Sequence, residues 1–293
     1  MSGPGKVECR ARAGRAYVTI NRPEKRNAMS EAMWAQLMTC YDRAEADDDV
    51  RVVVLTGAGD DFCAGHDVAE VGNLYEEAGG AGAAGERKRR PSQRARLKYD
   101  TLYVERYRRI FASLKPTLAL VKGFCLGGGL YLAESCDLVL AADTARLGHP
   151  EQKLGLSGAA YFDAWEIMTL GARKARELLL LAEVWTAEEA RANGLINKVV
   201  PLAELEEQGE AWAERIVCLP RDGVALGKAA THLALQSLGV TAQFAYGPLL
   251  HTLATNVRYE PDEFNFMKER KVGGVRASNH AREDFYATPG RKR

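Results

Sequence analysis

Thr117-Leu118-Ala119-Leu120-Val121-Lys122-Gly123-Phe124-Cys125-Leu126-Gly127-Gly128-Gly129 is the stretch whose reading decides the fold. It predicts a buried strand over 117–121, a glycine-rich turn, and a helix ending near Cys136. Asp137 to Ala141 reads as the next buried strand. Upstream, Tyr99 to Leu114 has helical spacing and stops before Pro116. Before it, Val50 to Leu55 is apolar on both faces, as in a sheet covered on both sides, and ends at Thr56-Gly57-Ala58-Gly59-Asp60-Asp61. Strand alternating with helix argues for an α/β layered architecture. At the N-terminus, Val7–Arg12 and Ala16–Asn21 flank Ala13-Gly14-Arg15 as a hairpin. Ser30 is the expected N-cap of a helix carrying Met33, Leu37, Tyr41 and Ala44. Toward the C-terminus, Thr186-Ala187-Glu188-Glu189 has capping-box spacing and Asn193-Gly194 closes that helix. From Leu202 to Met267 the pattern is nearly all amphipathic helix.

The chain of 293 residues is 46% hydrophobic and 27% charged, enough to bury a sizeable core. A net charge of +1 gives no overall electrostatic case for nucleic acid or membrane, so an anionic partner needs a local patch. Six cysteines form no CxxC pair and no metal-ligand spacing with the five histidines, which predicts reduced thiols and no metal site. No signal peptide stands at the start. The longest central apolar run, Phe124 to Ala133, is about half a membrane span. The expectation is a soluble, cytoplasmic protein. Glu76 to Lys98 breaks the periodicity with glycines and then Arg87, Lys88, Arg89, Arg90, Arg94, Arg96 and Lys98. It reads as a mobile loop over about 75–98, either a solvated basic surface or a lid whose cations meet phosphates. Nucleic acid is a poorer fit, because no aromatic residues alternate with those charges.

Two turns carry the chemistry. Phe62-Cys63-Ala64-Gly65-His66-Asp67 and Phe124-Cys125-Leu126-Gly127-Gly128-Gly129 each follow a buried strand, and each is expected to lead into a helix. Free N–H groups at a helix start suit a negative oxygen, and two such turns make a better case for a two-donor oxyanion hole than a lone glycine triplet would. No P-loop, Ser-His-Asp spacing or strand-linked GxGxxG appears.

Five motifs in order resemble the crotonase (enoyl-CoA hydratase/isomerase) superfamily over about residues 6–215. Asn21-Arg22-Pro23-Glu24-Lys25-Arg26-Asn27-Ala28 is similar to its N-terminal motif. Val52 to Gly57 with Phe62 to Asp67 looks like its first oxyanion segment, and Gly127-Gly128-Gly129 with Cys136-Asp137 like the second. Gly148-His149-Pro150-Glu151 matches the segment of its catalytic glutamate. Ala187 to Ala190 through Gly194 to Pro201 resembles the stretch that closes the core. The resemblance implies a spiral of ββα units over 1–215. A helical region, 216–293, would serve oligomerisation and cover the pocket. It also implies homotrimers or hexamers and an acyl-CoA thioester substrate, with no cofactor beyond the substrate's own coenzyme A. His66 and Gly128 fall where the family supplies its oxyanion donors. Glu151 falls on the base, where partial desolvation beside an acyl pocket would raise its proton affinity. Lys25, Arg26, Ala28, Ala64, Asp67, Val68, Gly127 and Pro150 fall on the substrate and coenzyme A contacts.

Departures from the pattern matter for the reaction. Tyr131, the other catalytic candidate, stands where two-glutamate hydratases have their other carboxylate; a phenol can donate a hydrogen bond but is a poor base near pH 7. Glu134, three residues on, offers either a second carboxylate or a structural hydrogen bond. The His66 imidazole is a candidate acid or base, though its N–H alone suffices for the motif. His149 reads as packing, and His232, His251 and His280 have no visible partners. Tyr161 and Phe162 are expected to reshape the acyl pocket. A single glutamate suits double-bond isomerisation, (de)hydration, or hydrolytic C–C cleavage of a cyclic β-keto thioester. The alternative is a catalytically weak acyl-CoA binding protein.

Overall fold

A computed structural model describes residues 5–70, 92–156, 161–254 and 258–287. The hairpin forms: β1 (Lys6–Arg12) and β2 (Arg15–Asn21) pair antiparallel across Ala13 and Gly14, both at positive φ. Then come β3 (Val52–Gly57), β4 (Thr117–Val121), β5 (Phe124–Leu126), β6 (Leu138–Ala142), β7 (Arg146–Gly148), β8 (Val184–Thr186) and β9 (Lys198–Val200). A six-stranded sheet runs β1-β2-β3-β4-β6-β9, parallel from β2 onward, and a smaller sheet runs β5-β7-β8. From β4 to β7 the chain alternates between the two sheets, β4 and β6 in the large one and β5 and β7 in the small one, as in the spiral that the resemblance implied. The helices are α1 (Glu31–Ala46), α2 (Gln93–Phe111), α3 (Gly128–Glu134), α4 (Asp163–Leu170), α5 (Ala172–Leu180), α6 (Ala187–Ala192), α7 (Leu205–Val217), α8 (Arg221–Ser237), α9 (Gln243–Ala254) and α10 (Phe266–Ala287), which kinks at Gly274.

The two-faced apolar strands explain the layers. Val53, Leu55, Ala119, Val121, Val139 and Ala141 point into the main core with α1 and α3. Their neighbours Val52, Val54, Leu118, Leu120, Leu140 and Ala142 point the other way, onto Leu205 and Ala213 of α7. Gly209 of α7 lies so close to this face that a Cβ would stand 2.7 Å from Leu120. Ser30 caps α1 and Thr186 with Glu189 forms the capping box of α6, as read.

One segment needs correcting. The basic loop was expected to run to Lys98, but α2 begins at Gln93, capped by Ser92, whose hydroxyl accepts the Ala95 N–H at 3.3 Å. The charge run hid an N-cap, and Arg96 turns inward to 7% exposure rather than toward solvent. The remainder of the expected loop, through residue 91, lies outside the described residues.

Candidate active site

The two turns meet because their flanking segments pair. Cys63 bridges Cys125 in parallel, with Cys63 N–H donating to Phe124 O (2.8 Å) and Leu126 N–H to Cys63 O (3.0 Å). Gly65, at φ +97°, allows the approach: a Cβ there would lie 2.8 Å from Leu126 O and 3.2 Å from Gly128 N. Met29 clamps the first turn from the other side, donating to Gly65 O (2.8 Å) and accepting from Asp67 N–H (2.9 Å). Gly128 opens α3, and among the described residues neither its N–H nor that of His66 meets an acceptor. After Asp67 the described chain forms a turn closed by Glu70 N–H on Asp67 O; the expected helix beyond it lies outside the described residues.

The His66 ring joins the two donors. Trp34 Nε1–H donates to Nδ1 (3.3 Å), and the Tyr107 hydroxyl lies 3.2 Å from Nε2 and 3.4 Å from Gly128 O. Burial, and then the nearby Arg106 and His251, push the imidazole pKa down to about 3, so the ring is neutral. Because an indole only donates, Nδ1 accepts and the ring proton sits on Nε2. Tyr107 then accepts from His66 and donates to the Gly128 carbonyl. The expectation of His66 as an acid or base near pH 7 is therefore corrected: its nitrogens are spent on fixing the turns. Tyr107→Phe should lower kcat up to about tenfold with KM little changed, the worth of one hydrogen bond, as steady-state kinetics would show.

Glu151 stands on the other side of the same turn. Gly127 (φ +52°) leaves room for it, since a Cβ there would lie 2.7 Å from Glu151 Oε1. Gly127 N–H is pinned to Gly148 O at 2.9 Å, and Pro150 starts the 3-10 turn Pro150–Leu154 that carries the carboxylate. Tyr131 is buried, with Tyr161, Phe162 and Tyr107 at ring distances of 5.4, 5.7 and 5.6 Å. Burial, followed by the charges of Glu151 and Glu166, pushes its phenol well above the ordinary value, so it is a neutral donor. The aromatic pair after Glu151 thus packs directly on Tyr131, while residues 157–160 lie outside the described residues.

Behind Glu151, two expectations change. His149 is not mere packing: its Nε2 lies 2.6 Å from Glu166 Oε1 and 3.8 Å from Glu134 Oε2, and its Nδ1 lies 3.6 Å from Glu151 Oε1. Glu134 makes no structural hydrogen bond, and both its oxygens are buried without a partner among the described residues. Spacing along the sequence showed no metal donor set, yet Glu134, His149 and Glu166 bring donor atoms within 4.8 Å of one another. Burial, reinforced by Glu166, raises the Glu134 pKa well above its ordinary value. A raised folded-state pKa favours the fold below the unfolded value and loses that benefit as pH climbs toward the folded one. Glu134→Met should therefore stabilise the protein by about 1–3 kcal/mol, more at pH 8 than at pH 5, in urea denaturation at both pH values.

The expected coenzyme A contacts divide into two groups. Lys25, Arg26 and Ala28 lie on a loop stitched to the first turn, Arg26 O accepting Ala64 N–H at 2.9 Å, with Lys25 and Arg26 exposed. The Arg26 guanidinium covers Phe124 at 4.7 Å. Asp67 is instead committed to Arg22 (2.8 Å), and Val68 packs with the Leu154, Phe264 and Phe266 cluster. Residues without a motif also reach the site. Trp34 and Tyr107 sit on α1 and α2. Asp100 is buried on α2 with Thr252 Oγ1 at 2.5 Å and His251 Nδ1 at 2.9 Å, and the His251 ring is 5.5 Å from Tyr161. His251 was read as having no partner; the pairing of α2 with α9 supplies it. His232 stacks on Phe111 at 5.8 Å.

The site thus sets a ββα spiral, two N–H groups on adjoining turns without an acceptor among the described residues, and a carboxylate side by side. The family profile of enoyl-CoA hydratase/isomerase matches residues 10–258, and the chain belongs to that family. It is 35% identical over 240 residues to EchA13 of Mycobacterium tuberculosis, which carries the name of an enoyl-CoA hydratase, covering 78% of this chain and 73% of that one. An enoyl-CoA hydratase/isomerase from Xanthobacter autotrophicus Py2 superposes with a TM-score of 0.83 at 26% identity, covering 97% of this chain and 98% of that one. An enoyl-CoA hydratase from Mycobacterium smegmatis gives 0.81 at 25% identity, over 97% and 95%. Among the described residues, no helix is long and apolar enough to cross a membrane.

Proposed function

We propose that the chain moves a proton on an acyl-CoA thioester through an enolate, with Glu151 as the single base. The His66 and Gly128 N–H groups hold the thioester oxygen as it gains charge. Glu151 takes a proton from the acyl chain and returns it, at the same carbon or two carbons along, so that isomerisation needs no second carboxylate. The observation that carries this reading is the turn Gly127-Gly128, with the Glu151 carboxylate against one glycine and the His66 ring against the other. Two-carboxylate hydration fits less well, because Tyr131 is a neutral phenol and Glu134 faces the buried His149 instead. Lys25 and Arg26, exposed beside the first turn, suit the coenzyme A phosphates.

The solvent-facing leucines Leu226 and Leu233 of α8 and Leu253 of α9, each at least 65% exposed, support self-association through the C-terminal helices. Product analysis by NMR on a panel of 2-enoyl and 3-enoyl thioesters tests the reaction. Interconversion of double-bond isomers without a hydroxyacyl product is expected. A 3-hydroxyacyl product, or a chain cleaved at a C–C bond, would replace isomerisation by those reactions.

A further inference from the structure

His149 lies at the centre of four carboxyl and ring groups that the proposed reaction leaves unused apart from Glu151. The imidazole is fully buried, and the Glu134 and Glu166 side chains are each 1% exposed. Each comes from a different element: Glu134 ends α3, His149 follows β7, Glu151 sits in the 3-10 turn, and Glu166 lies in the first turn of α4. Tyr131 of α3 stacks on the imidazole at 4.8 Å and fixes its plane. Among the described residues, no lysine or arginine forms an ion pair with any of these groups, so the ring is their one source of positive charge. An unpaired carboxylate so deeply buried does not remain ionised. One ring cation faces both Glu166 and Glu151, offsetting one of their two charges, while Glu134 keeps its proton. Burial alone would discharge the ring, but the charges of Glu166 and Glu151 prevail and raise its pKa well above the ordinary value.

We propose that His149, clamped from behind by Glu166, is a positioning residue that aims the Glu151 carboxylate. Nδ1 faces Oε1 of Glu151, the oxygen beside Gly127. Oε2 is buried and makes no hydrogen bond among the described residues. The spacing favours a charge clamp over a shared cation. Two ligands each about 2.1 Å from one metal ion stand about 3 Å or more apart, whereas His149 Nε2 and Glu166 Oε1 are 2.6 Å apart.

The inference rests on Glu151 as base, and its test separates the two. Exchange of substrate α-protons in deuterated water is followed against pH for the parent, Glu166→Gln, Glu166→Asp and Glu151→Gln. Loss of the Glu166 charge should discharge His149 and move the low-pH limb of the exchange profile up by about one pH unit or more. The rate at pH 6 should fall about tenfold, and Glu166→Asp should restore much of it. Nitrogen NMR of histidine-labelled parent should show a charged, doubly protonated His149 at pH 7, a readout that holds even if Glu166→Gln fails to fold. A Glu166→Gln profile equal to the parent's, a neutral His149 at pH 7, or a stoichiometric metal lost from Glu166→Gln would each overturn the clamp. Full exchange in Glu151→Gln would instead remove the base assignment itself.

Discussion

Replacing Glu151 with glutamine is expected to reduce turnover by about 10²–10⁴, the usual contribution of a positioned base. Glutamine is nearly isosteric, so it still fits over Gly127, where a Cβ would stand 2.7 Å from Glu151 Oε1. Neighbouring groups offer no replacement for the lost base. Tyr131 is held as a neutral phenol by burial and the adjacent carboxylates. His66 is pushed down to about 3 by burial and then by Arg106 and His251, and its nitrogens face Trp34 and Tyr107. Binding of the thioester, measured by calorimetry, should be nearly unchanged while kcat collapses. A rate within threefold of the parent would mean that proton transfer runs through another group.

Gly128→Ala is the second large effect. The added Cβ would lie 2.9 Å from the His66 ring and 3.0 Å from the Tyr107 hydroxyl, so ring, hydroxyl or turn must shift. The ring is held between Trp34 and Tyr107, which leaves the turn as the part that gives, and with it the Gly128 N–H. Losing one oxyanion donor costs about 10²–10³ in kcat. The fall should exceed that of Tyr107→Phe, which removes the link but leaves Gly128 in place. Equal kcat for Gly128→Ala and parent would show that this N–H does not face the reacting oxygen.

The strands and both glycine turns were legible because their signals are local: runs of apolar residues, caps, and glycines where the backbone takes positive φ. The site's ordering beyond those turns was not. Trp34 and Tyr107 reach His66 from 32 and 41 residues away, and nothing in α1 or α2 alone distinguishes them from ordinary core aromatics. His149 read as packing because its partners Glu134 and Glu166 belong to other helices, brought together only when β5, β7 and α4 assemble. Gln93 to Lys98 read as loop because its charges outweighed the Ser92 cap. Position along the chain brought forward Glu151 and the two turns as candidates; the charge states around them come from burial and mutual contact, which spacing does not encode.

The central claim, an enolate formed by Glu151 against the His66 and Gly128 donors, is tested most directly by exchange of acyl-CoA α-protons into deuterated water, comparing parent with Glu151→Gln. The account predicts exchange in the parent with at least one thioester and its loss, by two orders of magnitude or more, in Glu151→Gln. Exchange that persists in the variant, or bound thioesters that never exchange in the parent, would contradict it.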